Sequence, residues 1–189
     1  RLLITQTDAA GLADMNDGID LAAGQLATVG PDVVVYMCTS GSFKDGQDGN
    51  QAIKERLRGL TGCPDVTTTS EAVVDAMKAL GLRRVVMLTP YNEDLTRREI
   101  DFLGLHAVAV SDFHFRDIED NLDRGSVLPE ESLRYALELD YTEADGIFLS
   151  CANVRAIEVI DTLEERTGRP VVTSSQATVW KALRLAGVS

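Results

Sequence analysis

The chain has 189 residues, of which 44% are hydrophobic, 25% charged and 5% aromatic, and its formal net charge is −12. This length fits one large domain or two small ones, and the composition is that of a globular protein with a substantial core. The negative charge opposes binding to a phosphate backbone, so we expect no nucleic-acid partner. No apolar run reaches the roughly 20 residues that a bilayer span needs, so we expect no membrane partner.

The first third of the chain alternates short β-rich runs with helical patterns. Its run DVVVYMC is continuously apolar, as in a strand that is buried on both faces of a parallel sheet. In chain order the patterns predict a strand over Leu2–Thr5, a helix over Leu12–Thr28, a strand over Asp32–Cys38, a loop over Thr39–Gly49 and a helix over Gln51–Leu60.

The rest of the chain continues the alternation, which indicates an α/β fold with parallel sheets. Ser70 is predicted to cap its first helix, and Pro129 suits a first helical turn. The predicted strands are Val66–Thr69, Arg84–Thr89, Ala107–Val110, Gly146–Cys151 and Val171–Thr173, and the predicted helices are Ser70–Leu80, Glu93–Leu103, Pro129–Leu139, Val154–Thr167 and Gln176–Ala186.

Four of the predicted strands end in small polar or reactive residues. Ligands of parallel α/β folds bind beyond the carboxyl ends of the strands, where these residues lie. Hydroxyl groups and free backbone N–H donors at such ends suit a carboxylate ligand. The four segments are Cys38-Thr39-Ser40, Thr89-Pro90-Tyr91, Cys151-Ala152-Asn153 and Thr173-Ser174-Ser175.

The chain has three cysteines, Cys38, Cys63 and Cys151. An odd, low count argues against a disulfide scaffold and for a reducing compartment, so we expect the cytoplasm. Taken singly, a cysteine at the end of a buried strand is as well explained as a small core residue. Cys38 and Cys151 share that setting, and the pairing favours a catalytic role for both. Cys63 lacks this context and is predicted to be structural.

Other polar residues are more simply explained without a site. His106 and His114 lack the convergent spacing of metal ligands, so we expect no metal. The acidic run over 117–123 predicts a solvated face or a helix start. Lys44 and Arg155 lie near predicted strand ends, where surface solvation is the simpler interpretation. The phosphate-binding motifs G-x-x-x-x-G-K-[ST] and G-x-G-x-x-G after a strand do not occur.

Five stretches across nearly the whole chain carry a resemblance to a known family. They include YMCTSGSF around the first cysteine and GIFLSCANVRAIEVI around the last. The stretches are Tyr36–Phe43, Thr67–Gly81, Leu88–Tyr91, Gly146–Ile160 and Pro170–Gly187. Together they resemble the aspartate/glutamate racemase superfamily, and within it the branch of maleate cis-trans isomerases and arylmalonate decarboxylases.

The resemblance implies two pseudo-symmetric parallel-sheet lobes, Rossmann-like or flavodoxin-like, with the active site between them. We expect one lobe from residues 1–65 plus 175–189 and the other from residues 66–174. The resemblance also implies no metal, no organic cofactor and a homo-oligomer. The family opens with a strand that carries Pro-Ser-x-Asn, which nothing here matches, so we expect that strand to lie outside this sequence.

The resemblance assigns catalytic roles to Cys38 and Cys151, as proton carriers or nucleophiles on opposite sides of the substrate. The other assigned residues would bind or surround the substrate carboxylate. They are Thr39 and Ser40, through hydroxyl and backbone N–H; Tyr91, through its phenol; Ala152 and Asn153, through backbone donors; and Ser174 and Ser175, as residues lining the cleft.

Two cysteines favour a cofactor-independent isomerase or racemase of small carboxylic or dicarboxylic acids, similar to maleate isomerase. Thr39-Ser40 resembles the arylmalonate decarboxylases instead, but these carry glycine where this chain has Cys38. One alternative is therefore a decarboxylase with Cys151 as the proton donor. A second alternative is a non-catalytic protein that binds a small carboxylic acid.

Overall fold

The computed structural model describes residues 2, 4 and 9–188. The predicted strand Leu2–Thr5 therefore lies largely outside the described residues. The first part of the chain contains α1 (Ala9–Asp17), α2 (Ile19–Ala27), β1 (Val34–Tyr36), α3 (Thr39–Phe43), α4 (Gly46–Thr61), β2 (Val66–Thr68) and α5 (Thr69–Ala79).

The second part continues the alternation of strands and helices. Its elements are β3 (Arg84–Thr89), α6 (Glu93–Leu105), β4 (Ala109–Phe115), α7 (Asn121–Ser126), α8 (Pro129–Leu137), β5 (Gly146–Leu149), a 3₁₀ turn (Ile157–Val159), α9 (Ile160–Thr167), β6 (Val171–Thr173) and α10 (Ser174–Leu185).

Two parallel sheets form the two lobes of this α/β fold, as the sequence predicted. In the first sheet β1 pairs with β2, with Val34 opposite Val66. In the second sheet the strand order is β4-β3-β5-β6, and every pair is parallel. Because the strands of each sheet run the same way, their carboxyl ends lie together at one edge, which is where polar residues follow the strands.

Helices cover the sheets and bury the apolar strands between them. The β3 residues Val85, Val86 and Met87 are fully buried, as expected for a strand covered on both faces. Helices α5 and α10 pack against each other and connect the lobes. Each begins with a threonine whose hydroxyl accepts a hydrogen bond from the backbone three residues on: Thr68 for α5 and Thr173 for α10.

The structure corrects four predictions in the first part of the chain. The helix predicted over Leu12–Thr28 is two helices that meet at Gly18. The loop predicted over Thr39–Gly49 is mainly helical, because burial of every α3 residue against neighbouring helices outweighs its turn-like composition. The N-cap of α5 is Thr68, and Ser70 lies inside the helix. Strand β2 ends at Thr68, one residue earlier than predicted, and it pairs with β1 in the first sheet.

Two further corrections concern the second lobe. The helix predicted from Val154 begins only with the 3₁₀ turn at Ile157 and becomes α-helical at Ile160. Residues 151–156 form turns instead, which leaves the segment after β5 free to shape a cavity wall. Strand β4 starts and ends later than predicted, at Ala109 and Phe115. The division of the chain into the lobes 1–65 plus 175–189 and 66–174 stays a prediction.

Within residues 9–188, none of the helices combines the length and the apolar character that crossing a bilayer requires.

Candidate active site

A cavity of about 410 Å³ lies at the carboxyl ends of the strands, between residues of the two sheets. It brings together seven of the nine residues singled out from the sequence. Cys38, Thr39 and Ser40 come from the segment after β1. Tyr91 follows β3, and Cys151, Ala152 and Asn153 follow β5. The two thiols thus reach one cavity from strands of different sheets.

Cys38 stands at the junction of β1 and α3. Its backbone is extended, with φ −143° and ψ 110°, and its carbonyl accepts the N–H of Ser42. The Ser40 hydroxyl lies 3.8 Å from the Cys38 sulfur. Burial raises the pKa of the Cys38 thiol; hydrogen bonds from the Gly41 N–H and the Ser40 hydroxyl oppose that rise.

Cys151 has a backbone conformation that side chains rarely adopt. Its φ is +87°, in the region that favours glycine, and a residue held there costs about 1–3 kcal/mol. The surrounding contacts hold it in place. The Cys151 N–H donates to the Ser174 hydroxyl at 3.0 Å, and the N–H of the preceding Ser150 donates to the Leu88 carbonyl at 2.9 Å. Such strain held by neighbouring bonds is typical of functional positions.

The Cys151 sulfur lies among donors that can stabilise its charged form. Burial raises the pKa of the thiol, whereas a hydrogen bond from the Asn153 N–H, the charge of Arg124 and a hydrogen bond from the Tyr91 hydroxyl lower it. Burial, and then the charge of Cys151, raise the pKa of Tyr91 well above its usual value. The phenol is therefore a proton donor throughout the physiological pH range, which suits contact with an anion.

A hydrogen bond joins the two walls of the cavity. The Ala152 N–H donates to the Thr39 hydroxyl oxygen at 3.2 Å, across 113 positions of sequence. The Ala152 carbonyl in turn accepts from the Ser175 hydroxyl at 3.0 Å. The Thr39 hydroxyl proton remains available to a ligand, but the Ala152 N–H that the sequence assigned to substrate is already paired in this structure.

Ser174 and Ser175 do not line the cavity, contrary to the expectation from the sequence. Ser174 is fully buried, and its hydroxyl accepts the Cys151 N–H. The Ser175 hydroxyl donates to the carbonyl of Ala152, the residue after Cys151. Both serines lie in the first turn of α10 and hold the segment that carries the second thiol, so they support the cavity wall from behind.

Asn153 is exposed and lines the cavity without capping a helix. Its side-chain amide donates to the backbone carbonyl of Asn121 at 2.6 Å and to the side-chain oxygen of Asn121 at 3.1 Å. This pair ties the segment after β5 to the start of α7, and Asn121 also lines the cavity. Asn121 was missed because its acidic surroundings read as a solvated face.

Among the described residues Arg124 of α7 is the one cation that lines the cavity, and sequence reasoning missed it as well. Its side chain is 2% exposed, and its guanidinium carbon lies 4.9 Å from the centre of the Tyr91 ring. The N-cap of the helix that carries it is Asp120, whose carboxylate accepts the N–H groups of Leu122 and Asp123. The acidic run is thus a helix start, one of its two predicted readings, and it carries an arginine inward.

Glu99 of α6 is a buried acid close to the site. Its side chain is 2% exposed, and the Ser150 hydroxyl donates to its carboxylate at 2.7 and 2.9 Å. Burial raises the pKa of Glu99 from 4.5 to about 8, which the hydrogen bond from Ser150 only partly offsets. Because Ser150 precedes Cys151, this acid is linked to the thiol segment through one residue.

The other charged or reactive residues named from the sequence lie elsewhere. Cys63 is buried, and its thiol lies 3.3 Å from the Asp32 carbonyl and 3.4 Å from the Asp65 carbonyl, as suits a structural residue. Lys44 pairs with Asp45. None of these lines the cavity.

Arg155 pairs with Glu158 on the surface. His106 lies near Gln47 at 3.1 Å, and His114 stacks on the Tyr135 ring. Over the described part of the chain, no three histidine, cysteine or acidic side chains converge as metal ligands would.

The fold and the cavity together define a class: two-lobe parallel α/β proteins that hold two free cysteine thiols at one small-molecule cavity. Within that class the chain belongs to the arylmalonate decarboxylase family, whose model matches residues 2–189.

Among its relatives, the arylmalonate decarboxylase of Bordetella bronchiseptica is 35% identical over 167 residues, 87% of this chain and 69% of the relative. The maleate isomerase of Geobacillus stearothermophilus is 27% identical over 178 residues, 92% of this chain and 71% of the relative. These relatives are enzymes of two reaction types.

Solved structures show the same likeness. The maleate isomerase of Pseudomonas putida S16 in complex with maleate has a TM-score of 0.95 at 25% identity, covering 100% of this chain and 77% of its own. A liganded double mutant of arylmalonate decarboxylase has a TM-score of 0.93 at 31% identity, covering 98% of this chain and 80% of its own. The resemblance stated from the sequence is thereby confirmed.

Proposed function

We propose that this protein is a cofactor-independent isomerase of small dicarboxylic acids, similar to maleate isomerase, with Cys38 and Cys151 as its catalytic residues. The observation that carries the proposal is that both thiols lie on one cavity, reached from different sheets. A single cysteine would suffice to deliver one proton. A second thiol on the same cavity supplies the separate acid that an addition and elimination sequence needs.

Electrostatics favours opposite protonation states for the two thiols. The charge of Cys151 raises the pKa of Cys38, so ionising one thiol disfavours ionising the other. One sulfur can then act as nucleophile or base while the other keeps its proton and acts as the acid. The two thiols therefore titrate as a coupled pair.

In the proposed reaction one thiolate adds to an alkene carbon of maleate and forms a carbon–sulfur bond. The electron pair of the double bond moves to the neighbouring carbon, which takes a proton from the second thiol. The remaining single bond rotates. The second sulfur then takes the proton back, the carbon–sulfur bond breaks, and fumarate leaves with both sulfurs in their starting states.

The donors on the cavity would hold the carboxylate whose charge develops during addition. Thr39 and Ser40 offer hydroxyl groups from one wall, and Tyr91 offers its phenol from the other. Preorganised donors of this kind stabilise developing negative charge, and the loss of one typically costs about 3 kcal/mol of transition-state stabilisation. Asn121 adds a further amide at the cavity.

A second candidate function is decarboxylation of a substituted malonate. It is favoured by the 35% identity to the Bordetella bronchiseptica decarboxylase and by the Thr39-Ser40 pair. In that reaction carbon dioxide leaves with the carbon–carbon bond broken, and Cys151 protonates the enediolate that remains. Cys38 would have no essential role there. A binding protein without turnover is the third possibility.

Proton NMR in buffered D₂O, on protein treated with chelator and dialysed, tests these proposals. Separate samples would contain maleate, aspartate, glutamate or phenylmalonate. Fumarate from maleate supports the isomerase, and exchange of an α-proton in an amino acid would mean racemisation instead. Loss of carbon dioxide from the malonate that survives Cys38→Gly would replace the isomerase with the decarboxylase. Ligand binding without any turnover would leave only the binding protein.

Single cysteine variants define the chemistry further. Cys38→Ser and Cys151→Ser should each abolish isomerisation, whereas Cys63→Ser should leave it unchanged, because Cys63 does not line the cavity. Each inactive variant would then be incubated with maleate and analysed by mass spectrometry. Only one of the two should carry a covalent adduct, and the cysteine that this variant retains is the nucleophile. Full activity in both variants would refute the proposal.

The cellular location, the oligomeric state and the substrate class of the protein are further predictions. We propose that the protein works in the cytoplasm and as a homo-oligomer, on a small carboxylate or dicarboxylate. Light scattering of the purified chain tests the oligomer directly.

A further inference from the structure

Arg124 is a buried charge beside which the described residues place no opposite charge. Its side chain is 2% exposed, and its Nε donates to the Ile118 carbonyl at 2.6 Å. Among the described residues no carboxylate lies within ion-pair distance of it, although the chain carries a net charge of −12. A buried charge without a partner is expensive and needs a reason.

One guanidinium nitrogen of Arg124 makes no hydrogen bond within the described part of the chain. Nη1 is shielded from solvent and has no partner among the described residues. An unsatisfied buried donor costs about 1–3 kcal/mol, and more when it is charged. The position of Arg124 therefore carries a standing penalty that the fold of α7 alone does not repay. Charges kept in this way are characteristic of sites that handle negative charge.

The groups on which this charge can act lie on the cavity. The guanidinium carbon is 4.9 Å from the Tyr91 ring centre, and Arg124 lines the same cavity as Cys38 and Cys151. Besides Arg124 and Tyr91, the ionisable group that changes the pKa of Cys151 is Glu99. The Ser150 hydroxyl donates a hydrogen bond to the Glu99 carboxylate. Either thiol becomes negative when it ionises, and it then lies on the same cavity as this positive charge, whose Nη1 is shielded from solvent.

We propose that Arg124 is a positioning residue of the thiol site: its water-shielded charge, held against the face of the Tyr91 ring, stabilises the thiolate of Cys151 and orients the Tyr91 hydroxyl. The role deepens the proposed function and rests on it for any effect on turnover. It differs from an anchor role, in which Arg124 would merely fix α7 through Ile118. An anchor would change stability and leave the ionisation of the thiol alone.

The direction of the thiol pKa values agrees with this geometry. The charge of Arg124 lowers the pKa of Cys38, of Cys151 and of Tyr91, in each case against a larger rise that burial causes. Glu99, where it is ionised, acts the other way and raises the pKa of Cys151 and Tyr91. Arg124 thus acts on both thiols in the direction of ionisation, alongside the hydrogen bonds that Cys38 and Cys151 each receive from their neighbours.

The test measures thiol ionisation without any substrate. In a chain with Cys38→Ser and Cys63→Ser, Cys151 is the single thiol, and its alkylation by iodoacetamide is followed by mass spectrometry across pH. Arg124→Met, which keeps bulk and removes charge, should raise the midpoint by about one pH unit and slow alkylation below it about tenfold. Arg124→Lys, which keeps the charge, should hold the midpoint close to that of the parent.

A matched control is Arg169→Met. Arg169 also has a buried nitrogen without a partner, but it precedes β6 at the opposite end of the strand and does not line the cavity. Its variant should leave the alkylation profile unchanged. An equal shift in both methionine variants would mean general loosening and would overturn the proposal, as would an Arg124→Met profile that superimposes on the parent.

Circular dichroism shows whether each variant is folded. If Arg124→Met is not, Arg124→Gln and Arg124→Lys decide the matter: the proposal needs a higher midpoint for glutamine, and equal midpoints overturn it. Failure of the proposed function is separately visible, as full turnover in the Cys38→Ser and Cys151→Ser chains, and it does not alter the alkylation profile.

Discussion

Replacing Glu99 by glutamine should change how the stability of the protein depends on pH. Glu99 is 2% exposed, and burial raises its pKa from 4.5 in the unfolded chain to about 8 in the folded protein. Between these two values the folded protein keeps a proton that the unfolded chain has released. The free energy of unfolding must therefore fall as the pH rises through this window.

The size of the effect follows from the width of the window. Each pH unit at a difference of one proton corresponds to about 1.4 kcal/mol, so the whole window amounts to about 4–5 kcal/mol. Below pH 4.5 both states hold the proton, and the penalty is absent. Above about pH 8 the folded protein must carry a buried carboxylate, and the full penalty applies. Glutamine does not titrate and can still accept from Ser150, so Glu99→Gln should lack this slope.

Urea unfolding at about pH 5, pH 6.5 and pH 8 measures the difference. Relative to the parent, Glu99→Gln should gain stability steadily with pH. Glu165→Gln, a change of an exposed acid in α9, should follow the parent at every pH. Parallel curves for Glu99→Gln and the parent would refute the reasoning, because they would mean that Glu99 is ionised in the folded protein throughout.

Three further substitutions have expected outcomes. Gly146→Ala should lower the free energy of unfolding by about 1–3 kcal/mol in urea titrations, because a Cβ there would lie 2.6 Å from Leu82 in a fully packed strand. Thr39→Val should lose the hydrogen bond from Ala152, cost about 1 kcal/mol and reduce the rate with maleate; an unchanged rate would remove Thr39 from the site. Cys63→Ala should lower thermal stability by the equivalent of about 1 kcal/mol while the turnover rate stays that of the parent.

The sequence was most informative where a strand is buried and ends in a distinctive residue. The apolar runs before Cys38 and Cys151 predicted both strands, and the rule that parallel strands share a carboxyl edge predicted that the thiols lie at such edges. Their meeting at one cavity depends on how the two sheets are arranged. The periodicity of the sequence carries no information about that arrangement, and its prediction rested on the family resemblance.

The sequence was least informative where tertiary contacts decide the outcome. The segment from Thr39 reads as a loop from its glycine and serine content, but burial makes it helical. Ser174 sits at a strand end like Thr39, yet it turns inward to the Cys151 N–H. Arg124 lies in an acidic stretch that suggests solvent, and only the docking of α7 on Tyr91 turns it towards the cavity.

The backbone at Cys151 has a consequence for how this position can vary. With φ at +87°, glycine would fit there without strain, whereas any residue with a Cβ is strained in this conformation. The chain nevertheless carries a thiol at the point where conformation alone would select against one. A substitution of residue 151 by glycine would therefore relieve the strain and raise the free energy of unfolding, but it would remove the thiol. Stability and reactivity thus compete at this single position.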